Sequence, residues 1–94
     1  MNIELTLIGK PGCHLCDDAE AAVDRVLGSF LPTHPSVVIS MTQKNILDDA
    51  ELAAKYSEEI PVLLINGKVH NYWRIDEERF ARALNDLAAS ADEK

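Results

Sequence analysis

The sequence predicts an α/β domain, a mixed four-stranded sheet flanked by helices in the order β-α-β-α-β-β-α. Three observations point there. The hydrophobic period changes from two residues to a helical repeat just after Cys13. An Asn66-Gly67 pair separates two short runs with strand character, the signature of a tight hairpin. The chain has 94 residues, which fits one domain spanning 1–94 with a single modest core.

The first strand is read from Ile3, Leu5 and Leu7 alternating with Glu4 and Thr6, with Ile8 adding burial on the opposite face. Gly9-Lys10-Pro11-Gly12 breaks that pattern. Beyond Cys13, the residues Leu15, Ala19, Ala22, Val23, Val26 and Leu27 form one helical stripe, and Gly28 is the expected stop. Asp17, Asp18 and Glu20 sit in the early turns, where carboxylates complement the helix dipole. A loop with two prolines, 30–35, leads to a second strand over Val37 to Met41, and 42–45 reads as a connector. Asp48 and Glu51 fit a capping box for a short helix carrying Leu52, Ala53 and Tyr56. Pro61 precedes the buried run Val62-Leu63-Leu64-Ile65, and Lys68 to Tyr72 returns from the turn. Asp76 caps the last helix, with Ile75 and Phe80 as its hydrophobic staple and Phe80, Ala83, Leu84 and Leu87 as its buried stripe. Residues 90–94 read as a disordered tail. The first β-α-β should be a right-handed parallel unit.

Composition excludes some classes. The net charge of −7 provides no basic footprint for nucleic acid. No run approaches the about 20 apolar residues of a membrane span. Met1-Asn2-Ile3-Glu4-Leu5 enters an apolar alternation at once, without the charged start and long apolar run of a signal peptide. The expected compartment is therefore the cytoplasm, and two cysteines three apart there suggest catalysis or metal binding rather than a structural staple.

Cys13-His14-Leu15-Cys16 lies where the first strand hands over to the first helix. Unpaired N–H groups and the dipole at a helix start stabilise a thiolate, so Cys13 is assigned as the attacking thiolate. Cys16, one turn on and less exposed, is the resolving thiol that releases the partner from a mixed disulfide. Lys10 and His14 either support the thiolate or are solvated surface residues, while Asp17 and Asp18 oppose it if they approach. A zinc site normally has four ligands in two close pairs, and the chain has one such pair, with His34 and His70 expected at the surface. Two alternatives remain beside thiol–disulfide exchange. One is a metal or iron–sulfur module using the same cysteines. The other is a redox-inert interaction domain.

Gly9 to Cys16, the Ile60-Pro61-Val62 step and the Asn66-Gly67 hairpin together resemble the glutaredoxin branch of the thioredoxin superfamily. More narrowly, residues 3 to 88 are similar to the glutaredoxin-like domain family of unassigned function, found in short bacterial chains. The resemblance implies a thioredoxin fold with strand order 2-1-3-4, Cys13 as nucleophile, Cys16 as resolving thiol, and Pro61 as a cis-proline facing the pair. The backbone of Ile60 would then pair with an extended substrate. Glutaredoxins carry a Gly-Gly pair after the last strand, where this chain has Tyr72 and Trp73. Trp73 is read as a partner-facing anchor or a cap on the core, and Arg74 as a carboxylate binder. The expectation is a monomer without a tightly bound cofactor. Its substrate would be a protein or small-molecule disulfide, and it would be re-reduced by glutathione or by a reductase.

Overall fold

The computed structural model describes residues 1–92. The strands are β1 (Asn2–Gly9), β2 (Val38–Asn45), β3 (Val62–Ile65) and β4 (Lys68–Tyr72), and the helices are α1 (His14–Phe30), α2 (Ala50–Tyr56) and α3 (Glu77–Asp92). The sheet order is β2-β1-β3-β4. β1 pairs parallel with β2 and antiparallel with β3, and β3 pairs antiparallel with β4. This is the thioredoxin fold.

β1 lies inside the sheet, and both of its faces are covered. Ile3, Leu5 and Leu7 pack with Val23 of α1 and with Phe80 and Leu84 of α3. Ile8 faces the other way, into a second cluster with Tyr56 of α2, Ile60 and Val62. Phe80 is fully buried, which stabilises the fold by about 1.5–3 kcal/mol for its side chain. The β3–β4 turn has φ 52° at Asn66 and 82° at Gly67, the left-handed pair a type I′ turn demands. Asn66 also docks on β1: its N–H donates to Glu4 O at 2.7 Å, and its Oδ1 accepts from Glu4 N–H at 2.9 Å. A two-toothed ion pair, Arg25 to Glu77 at 3.0 and 3.1 Å, ties α1 to the start of α3.

Five details differ from the sequence reading. α1 passes through Gly28 to Phe30, because burial of Phe30 offsets the about 1 kcal/mol a glycine costs inside a helix. β2 takes in 42–45, since the backbone ladder to β1 continues to Gly9–Asn45 while the side chains of this edge strand stay largely exposed. α2 is capped by Asp49, whose Oδ1 accepts from the N–H groups of Glu51 and Leu52 at 2.9 and 3.3 Å; Asp48 instead closes a short 3₁₀ turn. Leu15 leaves the buried stripe and is exposed. Residues 90–92 continue α3, while 93 and 94 lie outside the described residues.

His34 and His70 are half-buried rather than at the surface. His34 stacks on Phe30 with centroids 4.1 Å apart. His70 is the extra residue of a bulge in β4, between Val69 opposite Leu64 and Asn71 opposite Leu63. Burial holds its pKa below the usual imidazole value, with Arg79 adding to the effect and Asp76 opposing it. Asp76 caps α3 as expected, accepting from the Arg79 N–H at 3.1 Å.

The displaced cap of α2 is directly testable. Asp49→Ala should lower unfolding free energy in urea by about 1 kcal/mol, whereas Asp48→Ala should stay within about 0.5 kcal/mol of the parent. Equal effects at the two positions would contradict the assignment.

Candidate functional site

The site assembles where the C-terminal end of β1 meets the start of α1. Cys13 is the N-cap of α1, with extended backbone (φ −98°, ψ 113°). Its Sγ accepts a hydrogen bond from the Cys16 N–H at 3.2 Å. A sulfur in that position takes over one of the donors a helix start leaves unpaired, and a negatively charged acceptor fills the role best. His14 is the first residue of the helix and is exposed. Gly12, at φ 75°, turns the chain into the cap.

Cys16 occupies a different environment. It packs against the second cluster, which contains Ile60 and Val62, the two neighbours of Pro61. Its pKa is pushed up to about 11, first by desolvation, then by hydrogen bonding with Cys13, with smaller repulsion from Cys13 and Asp17. The Lys10 backbone hydrogen bond opposes these effects. Both cysteines are half-buried and neither is in a disulfide.

Space for the Cys16 thiol exists because residue 9 is glycine. A Cβ at Gly9 would lie 2.8 Å from Cys16 Sγ and 3.2 Å from its Cβ. The sequence reading treated Gly9 only as a strand breaker, and nothing in a single sequence marks a glycine as the wall of a thiol slot. A cavity of about 370 Å³ opens beside this slot, lined by Gly9, Lys10, Cys16, Gln43, Lys44 and Asn45 among others. Lys44 and its neighbours were missed because the end of β2 was read as a connector.

Pro61 is fully buried, and the Ile60–Pro61 peptide is cis. Ile60 N–H and C=O have no backbone partner among the described residues. Trp73 is held against this step: its N–H donates to Pro61 O at 2.7 Å and more weakly to Glu59 O at 3.4 Å, and its indole N–H donates to Glu58 O at 3.0 Å. Trp73 has φ 60°, a left-handed conformation costing ~1–3 kcal/mol for a side chain of this kind. The indole is nevertheless 54% exposed, so Trp73 does not cap the core. Arg74 lies on another flank, lining a cavity of about 290 Å³ with Leu15, Asp18, Arg25 and Ile75. The fold thus brings Cys13, Cys16, Lys10, Ile60 and Pro61 to one region, with Trp73 attached through Pro61 and Arg74 reaching the Leu15 side of the helix start.

Among the described residues no three His, Cys, Asp or Glu side chains converge as a metal site, and no helix is long and apolar enough to cross a membrane.

The architecture and the paired cysteines at the start of α1 define a thioredoxin-fold protein with a Cys-X-X-Cys site. Comparison with known proteins narrows this: the model of the glutaredoxin-like domain (DUF836) matches residues 4–85, and the chain belongs to that family. An uncharacterized protein of Mycobacterium tuberculosis is 28% identical over 79 residues, covering 81% of this chain and 76% of that one. A structural-genomics target protein, XcR50 from X. campestris, superposes with a TM-score of 0.67 at 28% identity, over 87% of this chain and 96% of its own. Oxidized mitochondrial thioredoxin 3 of Saccharomyces cerevisiae shares the fold at 9% identity, with a TM-score of 0.59 over 89% of this chain and 77% of that one.

Three outcomes follow for the cysteine pair. Gly9→Ala forces Cys16 to shift and should destabilise the reduced protein by about 1–3 kcal/mol in urea unfolding. Cys16→Ala in that background should recover part of the loss, and an unperturbed Gly9→Ala would exclude the slot. The raised pKa of Cys16 means that the unfolded chain loses this proton first as pH rises. The thiol's contribution to stability is therefore complete below pH 9 and is lost between about 9 and 11. In Cys13→Ser, thiolate absorbance of Cys16 should titrate below the parent's value but still above an ordinary thiol, because desolvation remains; titration at or below the ordinary value would rule out burial as the main cause.

Proposed function

We propose that this protein is a thiol–disulfide oxidoreductase in which Cys13 is the nucleophile and Cys16 the resolving thiol. The observation that carries the reading is the pairing of two unlike thiols one helical turn apart. Cys13 Sγ is the hydrogen-bond acceptor capping α1, whereas Cys16 is desolvated and kept protonated.

Chemically, the Cys13 thiolate attacks one sulfur of a substrate disulfide. The Cys13–substrate S–S bond forms, the substrate S–S bond breaks, and the other substrate sulfur leaves as a thiolate that takes a proton from water. Cys16, on losing its proton, then attacks Cys13 Sγ. The Cys13–Cys16 disulfide forms, the Cys13–substrate S–S bond breaks, and the second substrate sulfur leaves as a thiolate that takes up a proton, so two electrons pass from the dithiol to the substrate. Cys16 is held protonated mainly by desolvation and then by its hydrogen bonding with Cys13. Bonding Cys13 to the substrate removes the second of these causes and the smaller charge repulsion from Cys13, which eases the ionisation of Cys16 for the second step.

The surrounding groups have supporting roles in this reading. Ile60 offers its N–H and C=O to an extended substrate segment beside Pro61. Lys10, and His14 when protonated, bring positive charge toward the nucleophile, and Arg74 binds a substrate carboxylate. The oxidised protein is returned to the dithiol by two equivalents of glutathione or by a dithiol reductase, in a reducing compartment such as the cytoplasm. Two thiolates per chain fall short of the four an iron–sulfur cluster requires, so the metal-binding alternative needs thiols from elsewhere.

Cys13→Ser should abolish reduction of insulin disulfides. Cys16→Ser should complete the first step and accumulate a mixed disulfide at Cys13, visible by intact mass. Undiminished turnover in Cys13→Ser would refute the assignment, and mass counting of thiols after exposure to glutathione or to a thioredoxin reductase would identify the electron donor.

A further inference from the structure

We infer that Trp73 is an anchor that directs this site toward polypeptide disulfides over small-molecule ones; the inference rests on the exchange chemistry proposed above. Its starting point is a residue that works against the fold at its own position. The backbone of residue 73 has φ 60°, which glycine adopts without strain and a bulky side chain does not. The side chain returns little burial in exchange, since it is 54% exposed. What the indole does gain is a fixed orientation, through its N–H on Glu58 O at 3.0 Å and the main-chain bond to Pro61 O at 2.7 Å. A rigid, exposed aromatic ring loses little entropy when a partner covers it, and tryptophan is prominent among residues that dominate binding energy at interfaces.

Position selects the partner. Trp73 is bonded to the carbonyl of Pro61, while Ile60 just before it has its N–H and C=O unpaired among the described residues. A polypeptide laid along Ile60 as an added strand extends on both sides of its cysteine, and its flanking residues can reach the ring. A small disulfide has no such extension. Tyr72, 44% exposed with its ring 6.4 Å from that of Trp73, widens the apolar contact available to a peptide. The occupant is therefore an extended peptide segment carrying a disulfide, with an apolar side chain near its cysteine.

The test compares kcat/KM for insulin and for hydroxyethyl disulfide in the parent, Trp73→Gly and Trp73→Phe. Trp73→Gly should lower the insulin-to-small-disulfide ratio on the order of tenfold, mainly through KM for insulin. Trp73→Phe, which keeps an aromatic ring, should restore most of it. A ratio that stays constant across the three proteins overturns the inference while leaving the exchange chemistry in place. A parent protein that reduces neither substrate overturns both.

A second readout does not depend on turnover. Trp73 is the chain's single tryptophan. In Cys16→Ser, its fluorescence should shift to the blue when Cys13 is linked to a cysteine peptide with apolar flanks, and not when it is linked to mercaptoethanol. An identical spectrum in both adducts would show that the peptide does not cover the ring.

Discussion

Burial of β1 on both faces is the constraint on which the rest of the molecule depends. Its Ile3, Leu5 and Leu7 face the layer made by α1 and α3, and its Ile8 faces the layer made by α2. Covered on both faces, this strand also lies inside the sheet, with β2 and β3 as its neighbours. Leu7 and Ile8 also fix where the strand delivers the chain. Immediately after them come Gly9, the loop through Gly12 and the helix cap at Cys13. The cysteines are therefore positioned by the best-packed element of the fold, and the same Ile8 that anchors β1 belongs to the cluster against which Cys16 packs.

That placement makes the two thiols unequal, and the proposed exchange chemistry rests on that inequality. One sulfur caps a helix and accepts an N–H, while the other is turned into an apolar cluster and holds its proton to about pH 11. Two sulfurs in identical surroundings would compete for the same step. Gly9 is the small residue that permits the difference, since any side chain there would press on Cys16 Sγ. The cost of desolvating Cys16 is met by the cluster of Ile8, Tyr56, Ile60 and Val62, which is required in any case to cover the second face of the sheet.

Much of this was legible in the sequence, and the parts that were not have physical causes. Elements that bury one face announce themselves by period, which marks β1, α1 and α3, and β3 shows as a short continuous apolar run. Local polar signals also worked where one residue decides the geometry: Asn66-Gly67 at the turn and Asp76 at the cap of α3. The end of β2 escaped because an edge strand is held by backbone pairing, and Thr42 to Asn45 carry no apolar alternation to betray it. The cap of α2 was misplaced by one residue because Asp48 and Asp49 are chemically identical, and only the preceding 3₁₀ turn decides between them. Gly28 looked like a helix end because glycine often is one, but a buried Phe30 two residues later carries the helix onward. The cysteine pair was readable as chemistry; the slot at Gly9 was not, because its meaning lies in a contact between a strand and a helix.

Trp73 is where local preference and structure disagree most, and the disagreement is informative. A side chain stabilises a fold by burial or by a hydrogen bond that the fold requires. An exposed indole on a left-handed backbone serves neither efficiently, yet it is held by three hydrogen bonds from one residue to the carbonyls of Glu58, Glu59 and Pro61. Those bonds brace the segment leading into Pro61, which lies between the two residues that touch the Cys16 cluster. The same residue therefore stiffens the Ile60–Pro61 backbone and presents a ring beside it. A glycine at 73 would relieve the strain, but it would keep only the main-chain bonds and offer no surface. In the proposed anchoring role, residue 73 gives up some local stability for a contact that a large partner can use and a small disulfide cannot.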